Sequence, residues 1–252
     1  MMRISETVKH LLIINVIMFI GTLAIGGGEL FYDWFALRFP QNEGFQLWQI
    51  LTHMFMHGGW SHLFFNMFAL WMFGTPVEQV LGSKRFLFIY FSAGLGAVVL
   101  QLLYYYFKFY SGLSLLEEAG FNQVDTLDTL KSGYNMYDTR WKSALTNQQL
   151  ADFVGVFNSS MVGASGCLMG ILAAFGMMNP NAELMLIFLP IPIKAKYFIP
   201  GLIALDLISG ISGQSIFGYG NVAHFAHVGG ALTGFLIMWY WKKNQFNQNR
   251  WY

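Results

Sequence analysis

Ser165 sits in Gly163-Ala164-Ser165-Gly166, at the head of an apolar run rich in glycine and alanine. A serine hydroxyl becomes a nucleophile when a neighbouring base takes its proton. At a helix N-terminus, free backbone N–H groups and the positive end of the dipole suit the oxyanion formed when that serine attacks a carbonyl. Histidines that can act as the base stand at the heads of two other apolar runs. One run opens with Ala223-His224-Phe225-Ala226-His227-Val228-Gly229-Gly230, the other with Thr52-His53-x-x-x-His57-x-x-x-x-His62-x-x-x-Asn66. His62 and Asn66, four residues apart, share one helix face and can donate hydrogen bonds to an oxyanion. The combination is that of an acyl-transfer site: Ser165 as nucleophile, a histidine such as His227 as general base, and the His62/Asn66 pair as oxyanion donors.

For Ser165 and His227 to touch, their two helices must cross closely, which requires small residues at the crossing. Gly166-x-x-x-Gly170 follows the serine and Gly230-x-x-x-Gly234 follows the histidine, each a stripe that lets backbones pack tightly. His53, His57 and His62 together could form a three-ligand zinc set, but there is no HExxH and no cysteine or carboxylate close by. His53 and His57 are therefore expected to be hydrogen-bonded loop supports, with no metal and no cofactor. Asp206 could orient His227 as a third triad member. It lies some way along a different helix, and is assigned instead to helix packing or a water-filled pocket.

The elements that must position these groups are membrane spans. In 252 residues, 55% are hydrophobic and only 11% charged, with a mean hydropathy of +0.46. One water-soluble core does not hide that much apolar surface. The net charge of +1 leaves no field to attract nucleic acid. The single cysteine, Cys167, forms no intramolecular disulfide and is read as a helix-packing residue.

Apolar runs at Leu11–Ile25, Trp60–Val77, Phe86–Phe107, Ser160–Met178, Phe198–Ile211 and Val222–Trp241 predict an all-α bundle of six transmembrane helices. Gly26-Gly27-Gly28 and Asn179-Pro180-Asn181 stop two of them. Residues 108–152 turn polar and are expected to be an extended aqueous loop between the third and fourth spans, and Leu184–Lys196, broken by Pro190 and Pro192, an interfacial segment. An even number of spans puts both termini on one side. That side collects Arg3, Lys9, Lys84, Arg85, Lys194, Lys196, Lys242, Lys243 and Arg250, against Arg38, Lys108, Lys131, Arg140 and Lys142 on the other. By the positive-inside rule both termini are cytoplasmic. The second, fourth and sixth spans then all begin at the outer face, with their polar clusters at similar depth. Tyr104-Tyr105-Tyr106 and Trp239-Tyr240-Trp241 are aromatic belts of the membrane interface.

These residues resemble the rhomboid family of intramembrane serine proteases, over most of the chain. His62-Leu63-Phe64-Phe65-Asn66 is similar to the family's HxxxN, Gly163-Ala164-Ser165-Gly166 to its GxSG, and Ala226-His227-x-x-Gly230 to its histidine motif. Glu78 to Phe86 resembles the segment joining the family's second and third helices. The resemblance implies a single rhomboid membrane domain over 1–252, with Ser165 and His227 as the catalytic dyad and His62, Asn66 and backbone N–H groups as the oxyanion hole. It also implies a bacterial plasma-membrane setting, a lipid bilayer around the chain, and single-span transmembrane proteins as substrates, cut near the outer face. His224 is the rival base, but the glycines of the motif follow only His227. In three places the chain departs from the family pattern, one being the outer loop from Lys108 to Asp152, which is much longer than in minimal bacterial members. The usual tryptophan-arginine pair is Trp48-Gln49, so whatever the arginine anchors must be held otherwise. The tyrosine one turn after the serine is Met169, whose thioether can pack on an imidazole less rigidly.

Two other functions compete. A catalytically inactive relative that captures transmembrane clients is disfavoured because both Ser165 and His227 are present. A channel or transporter is disfavoured because the polar groups cluster near one face instead of lining a path across the membrane.

Overall fold

A computed structural model of the chain describes residues 3–186, 189–213 and 223–244. Val222, which opens the last predicted span, and Arg250 of the basic set lie outside the described residues. The fold is helical. α1 (Glu6–Ala24) ends at a turn through Gly26–Gly28 and is followed by α2 (Glu29–Phe35), the short strand β1 (Leu37–Arg38) and the one-turn α3 (Gln49–Thr52). α4 (Trp60–Ala69) runs through a wide π turn at Leu70–Gly74 into α5 (Thr75–Leu81). Pro76 explains that widening, since it carries no N–H to bond four residues back and its ring crowds the preceding turn.

α6 (Ser83–Glu118) is 36 residues long, about 54 Å, well beyond an apolar membrane core of about 30 Å. Its far end is held by packing rather than lipid. Phe109, Leu113 and Leu116 form one stripe and bury against Trp141 and against Leu150, Phe153 and Phe157 of α8 (Asn147–Phe157), with α7 (Gln123–Lys131) completing this satellite core. The polar 108–152 segment is thus folded and largely helical. α8 begins with a capping box, in which Thr146 and Gln149 satisfy each other's backbone groups.

Strand β2 (Ser160–Met161) pairs antiparallel with β1, Leu37 opposite Met161 and Arg38 opposite Ser160. This ties the segment before α3 to the start of α9 (Ser165–Met178). Residues Gly166 to Phe175 of α9 are all buried, the pattern of a central helix. An antiparallel hairpin, β3 (Glu183–Leu186) and β4 (Leu189–Lys194), then leads into α10 (Ala195–Ser212), and α11 (His224–Asn244) closes the described chain. The main core joins Val8 and Leu11 of α1, Leu70 and Phe73 of the π turn, Phe86 and Ile89 of α6, α9, and Ala231 and Met238 of α11. Among the described residues, α1, α6 and α10 are long and apolar enough to cross a membrane, while α9 is a shorter apolar helix of 14 residues.

Candidate active site

α9 and α11 cross with almost no side chain between them. A Cβ built on Gly230 or Gly234 would fall closer than 3.0 Å to the backbone of Gly166 or Gly170 respectively, so neither position of α11 can carry a side chain while the crossing stays as it is. Gly166 and Gly170 in turn face Ala97 and Ala93 of α6. This crossing brings the start of α9 beside the start of α11. Gln101 of α6 fixes the latter, its Oε1 accepting from the Ala226 backbone N–H at 3.1 Å.

Ser165 opens α9, and its Oγ lies 2.8 Å from Nε2 of His227. Nδ1 of His227 lies 3.0 Å from Oδ2 of Asp206 on α10. A carboxylate only accepts, so Nδ1 carries the ring proton and Nε2 presents its lone pair to the serine hydroxyl. The other carboxylate oxygen, Oδ1, accepts from Nδ1 of His224 at 2.7 Å. His224 is therefore a hydrogen-bonded neighbour of Asp206, and of the two histidines it is His227 that meets Ser165. Reading Asp206 as a packing residue is corrected here: its carboxylate joins both histidines of α11. The missed signal was the position of the lone acid on a helix adjoining the His-x-x-His pair.

Opposite the serine stands His62 of α4. A Cβ on Gly163 would lie 2.8 Å from Cε1 and Nε2 of His62 and 3.7 Å from Oγ of Ser165, so ring and hydroxyl face each other across the space this glycine leaves open. Its φ of 125° also lies where side-chain-bearing residues are strained. The Gly58 N–H donates to Nδ1 of His62 at 3.3 Å; in the neutral ring this leaves the proton on Nε2, the atom facing that space. Asn66 is buried on the same helix face, and its Nδ2 donates to the His62 carbonyl at 2.8 Å. Among the described residues no hydrogen bond joins Asn66 to Ser165. Ser165, His62 and His227 each keep partial solvent exposure. The backbone N–H groups of the first turn of α9 have no partner within that helix; its earliest backbone bond is Leu168 N–H to the Ala164 carbonyl at 2.9 Å.

The approach to α4 is held by buried polar residues. His53 donates from Nδ1 to the Gln49 carbonyl at 2.9 Å, and its own carbonyl accepts from Gly163 N–H at 2.9 Å. It thereby links this loop directly to the Gly163–Gly166 turn. His57 differs from its expected role as a hydrogen-bonded support: it is 1% exposed, among the described residues neither ring nitrogen meets a hydrogen-bond partner, and it packs edge-on against His62 at 5.1 Å between centroids. Burial pushes both rings down to about 4, reinforced at His57 by the neighbouring His62, so both are neutral at pH 7.

Gln49 answers the departure at Trp48-Gln49. It is fully buried; its Oε1 accepts from Arg38 N–H (3.2 Å) and Gln46 N–H (3.1 Å), and its Nε2 donates to Asp33 O (3.1 Å) and Gly44 O (2.9 Å). One amide thus ties together the backbone between Asp33 and Gln46. Met169 is buried in the main core one turn after Ser165.

A family model described as the Rhomboid domain matches residues 44–116 and 142–244, and the chain belongs to the rhomboid family. Members of that family are integral membrane proteins. Among similar proteins, rhomboid protease AarA of Providencia stuartii is 26% identical over 200 residues, covering 75% of this chain and 54% of that protein. The mitochondrial presenilin-associated rhomboid-like protein of Homo sapiens is 28% identical over 192 residues, 76% of this chain and 36% of its relative. Rhomboid protease GluP of Bacillus subtilis (strain 168) is 44% identical over 57 residues, 23% of this chain and 11% of that protein. The chain therefore spans about half or less of the length of each of these three relatives.

Proposed function

We propose that this protein is an intramembrane serine endopeptidase that cleaves single-span transmembrane proteins near the outer face of a bacterial plasma membrane. In this reading α1, α4 with α5, α6, α9, α10 and α11 are six crossings and both termini are cytoplasmic. The observation that carries it is the 2.8 Å approach of Ser165 Oγ to His227 Nε2 at the head of a helix, in a space that solvent reaches and that His62 borders.

The chemistry follows from the proton positions. Nε2 of His227 takes the hydroxyl proton as Oγ forms a bond to the scissile carbonyl carbon. The carbonyl oxygen becomes an oxyanion, held by Nε2–H of His62, by Asn66 and by the first-turn N–H groups of α9. His227 then gives that proton to the leaving nitrogen as the C–N bond breaks, and water, deprotonated by the same ring, releases the acyl group from Ser165. Named with modest identity, the AarA and GluP relatives support a protease reading. The short α9 supports a site below the surface: 14 residues rise about 21 Å, so a helix anchored at the inner face begins inside the outer leaflet.

The test is cleavage of a model single-span substrate by the full chain in liposomes, with Ser165→Ala alongside. Cleavage lost in the variant, with its melting unchanged, is the expected result. Substrate capture without cleavage by the wild-type chain would make it an inactive binder instead.

A further inference from the structure

We infer that Asp206 is a positioning residue that turns the Ser165–His227 pair into a three-membered relay, with His224 as the clamp on the carboxylate; this rests on the serine-protease reading above. An anionic side chain within an apolar helix is unfavourable unless paired, and packing alone does not require a carboxylate. Here each carboxylate oxygen has its own imidazole partner, at 2.7 Å and 3.0 Å. His224 and His227 are three residues apart on α11 and therefore on the same side of it.

The arrangement has two consequences. The bond to Nδ1 holds His227 in the tautomer whose Nε2 can accept the serine proton, and the negative charge stabilises the imidazolium that forms. The bond from His224 stops the carboxylate from rotating away from His227, because both oxygens are engaged. Burial supports the strength of the unit, the three side chains being 13–18% exposed.

The ionisable surroundings are few among the described residues. α11 presents His224 and His227 to Asp206, α9 presents Ser165 next to His227, and His62 of α4 lies across from that serine. The groups of the hairpin packed on α10, Glu183 and Lys194, lie at the opposite end of that helix, about 16 Å along the axis from Asp206, as do Lys196 and Tyr197 of α10 itself. Acid titration of the turnover therefore reports on this histidine and carboxylate set.

The experiment measures kcat and KM against pH for the wild-type chain, Asp206→Asn, Asp206→Glu and Ser165→Ala in liposomes. The asparagine variant is expected to lose between about tenfold and about 10⁴-fold in kcat, with KM within about twofold. The acid limb of its profile is expected to move to lower pH, because His227 loses the charge that favours its protonated form. The glutamate variant, which keeps the charge, is expected to recover turnover and return the limb towards its original position. An asparagine variant with wild-type turnover overturns the inference, and so does lost turnover with an unmoved limb, the signature of a merely structural role. Should Asp206→Asn not fold, ¹⁵N-histidine spectra of the wild-type chain, with the His227 signal identified by its absence in His227→Gln, decide the matter. Nδ1–H neutral His227 supports the relay and Nε2–H His227 overturns it. Activity that survives Ser165→Ala would instead sink the protease reading itself, so the two failures are distinct.

Discussion

Among the described residues, two carboxylates sit between helices of this protein, Glu78 buried and Asp206 partly buried, and their partners differ in kind. Glu78 of α5, past the apolar stretch that ends at Val77, accepts from Ser5 Oγ, from the backbone N–H groups of Thr7 (3.1 Å) and Val8 (3.0 Å), and from Ser83 Oγ (2.7 Å). It caps the N-terminus of α1 and joins it to the start of α6, a helix-dipole and hydrogen-bond function. None of those donors changes charge near neutrality. Asp206 has two imidazoles instead, rings whose second nitrogen can accept a proton. A carboxylate served by fixed donors stabilises a fold, whereas one served by histidines can take part in moving a proton.

The comparison can be broken in order of effect. His227→Ala is expected to lower turnover by about 10⁴-fold or more while its melting temperature stays within a few degrees of wild type; a large loss of stability would make the histidine part of the scaffold. Asn66→Ala should reduce kcat by about 10²- to 10³-fold if its remaining amide proton serves the oxyanion, and a loss confined to KM would make it a substrate-binding group. Glu78→Gln reverses the pattern. It should cost about 1–3 kcal/mol in denaturant unfolding with kcat per folded molecule within about twofold, and a collapse of kcat without unfolding would contradict its structural role.

The smallest effect is on acid stability. His53 and His57 have folded values near 4 against about 6.5 unfolded. The unfolded chain therefore binds protons first, and these histidines' contribution is fully present above about 6.5 and lost as pH falls towards 4. Replacing His57 by Phe should flatten that part of the stability profile, and an unchanged slope would count against a buried neutral ring.

What could be read from the chain beforehand follows the range of the interactions. The Gly163–Gly166 turn, the glycine stripes and the His62/Asn66 pair are local patterns, visible as spacings. The contact between Ser165 and His227 needed only that two helices cross at their glycines. Asp206 was not legible in the same way, because the sequence places it on a helix without giving that helix's rotation, and its partners are 18 and 21 residues away. Gln49 was equally hidden, since its four bonds go to backbone groups of α2, β1 and the turn at Gly44 and Gln46, which share no periodicity. The 108–152 segment carried a signal that its polar composition masked. Phe109, Leu113 and Leu116, with Leu150, Phe153, Val154 and Phe157, repeat at helical spacing, as amphipathic helices outside lipid do.

The central claim is that His227 activates Ser165, and labelling of the full chain by a serine-reactive fluorophosphonate tests it most directly. The account predicts one labelled site that disappears in Ser165→Ala and is strongly slowed in His227→Ala. Labelling of equal rate in the His227 variant, or undiminished in the Ser165 variant, would contradict it.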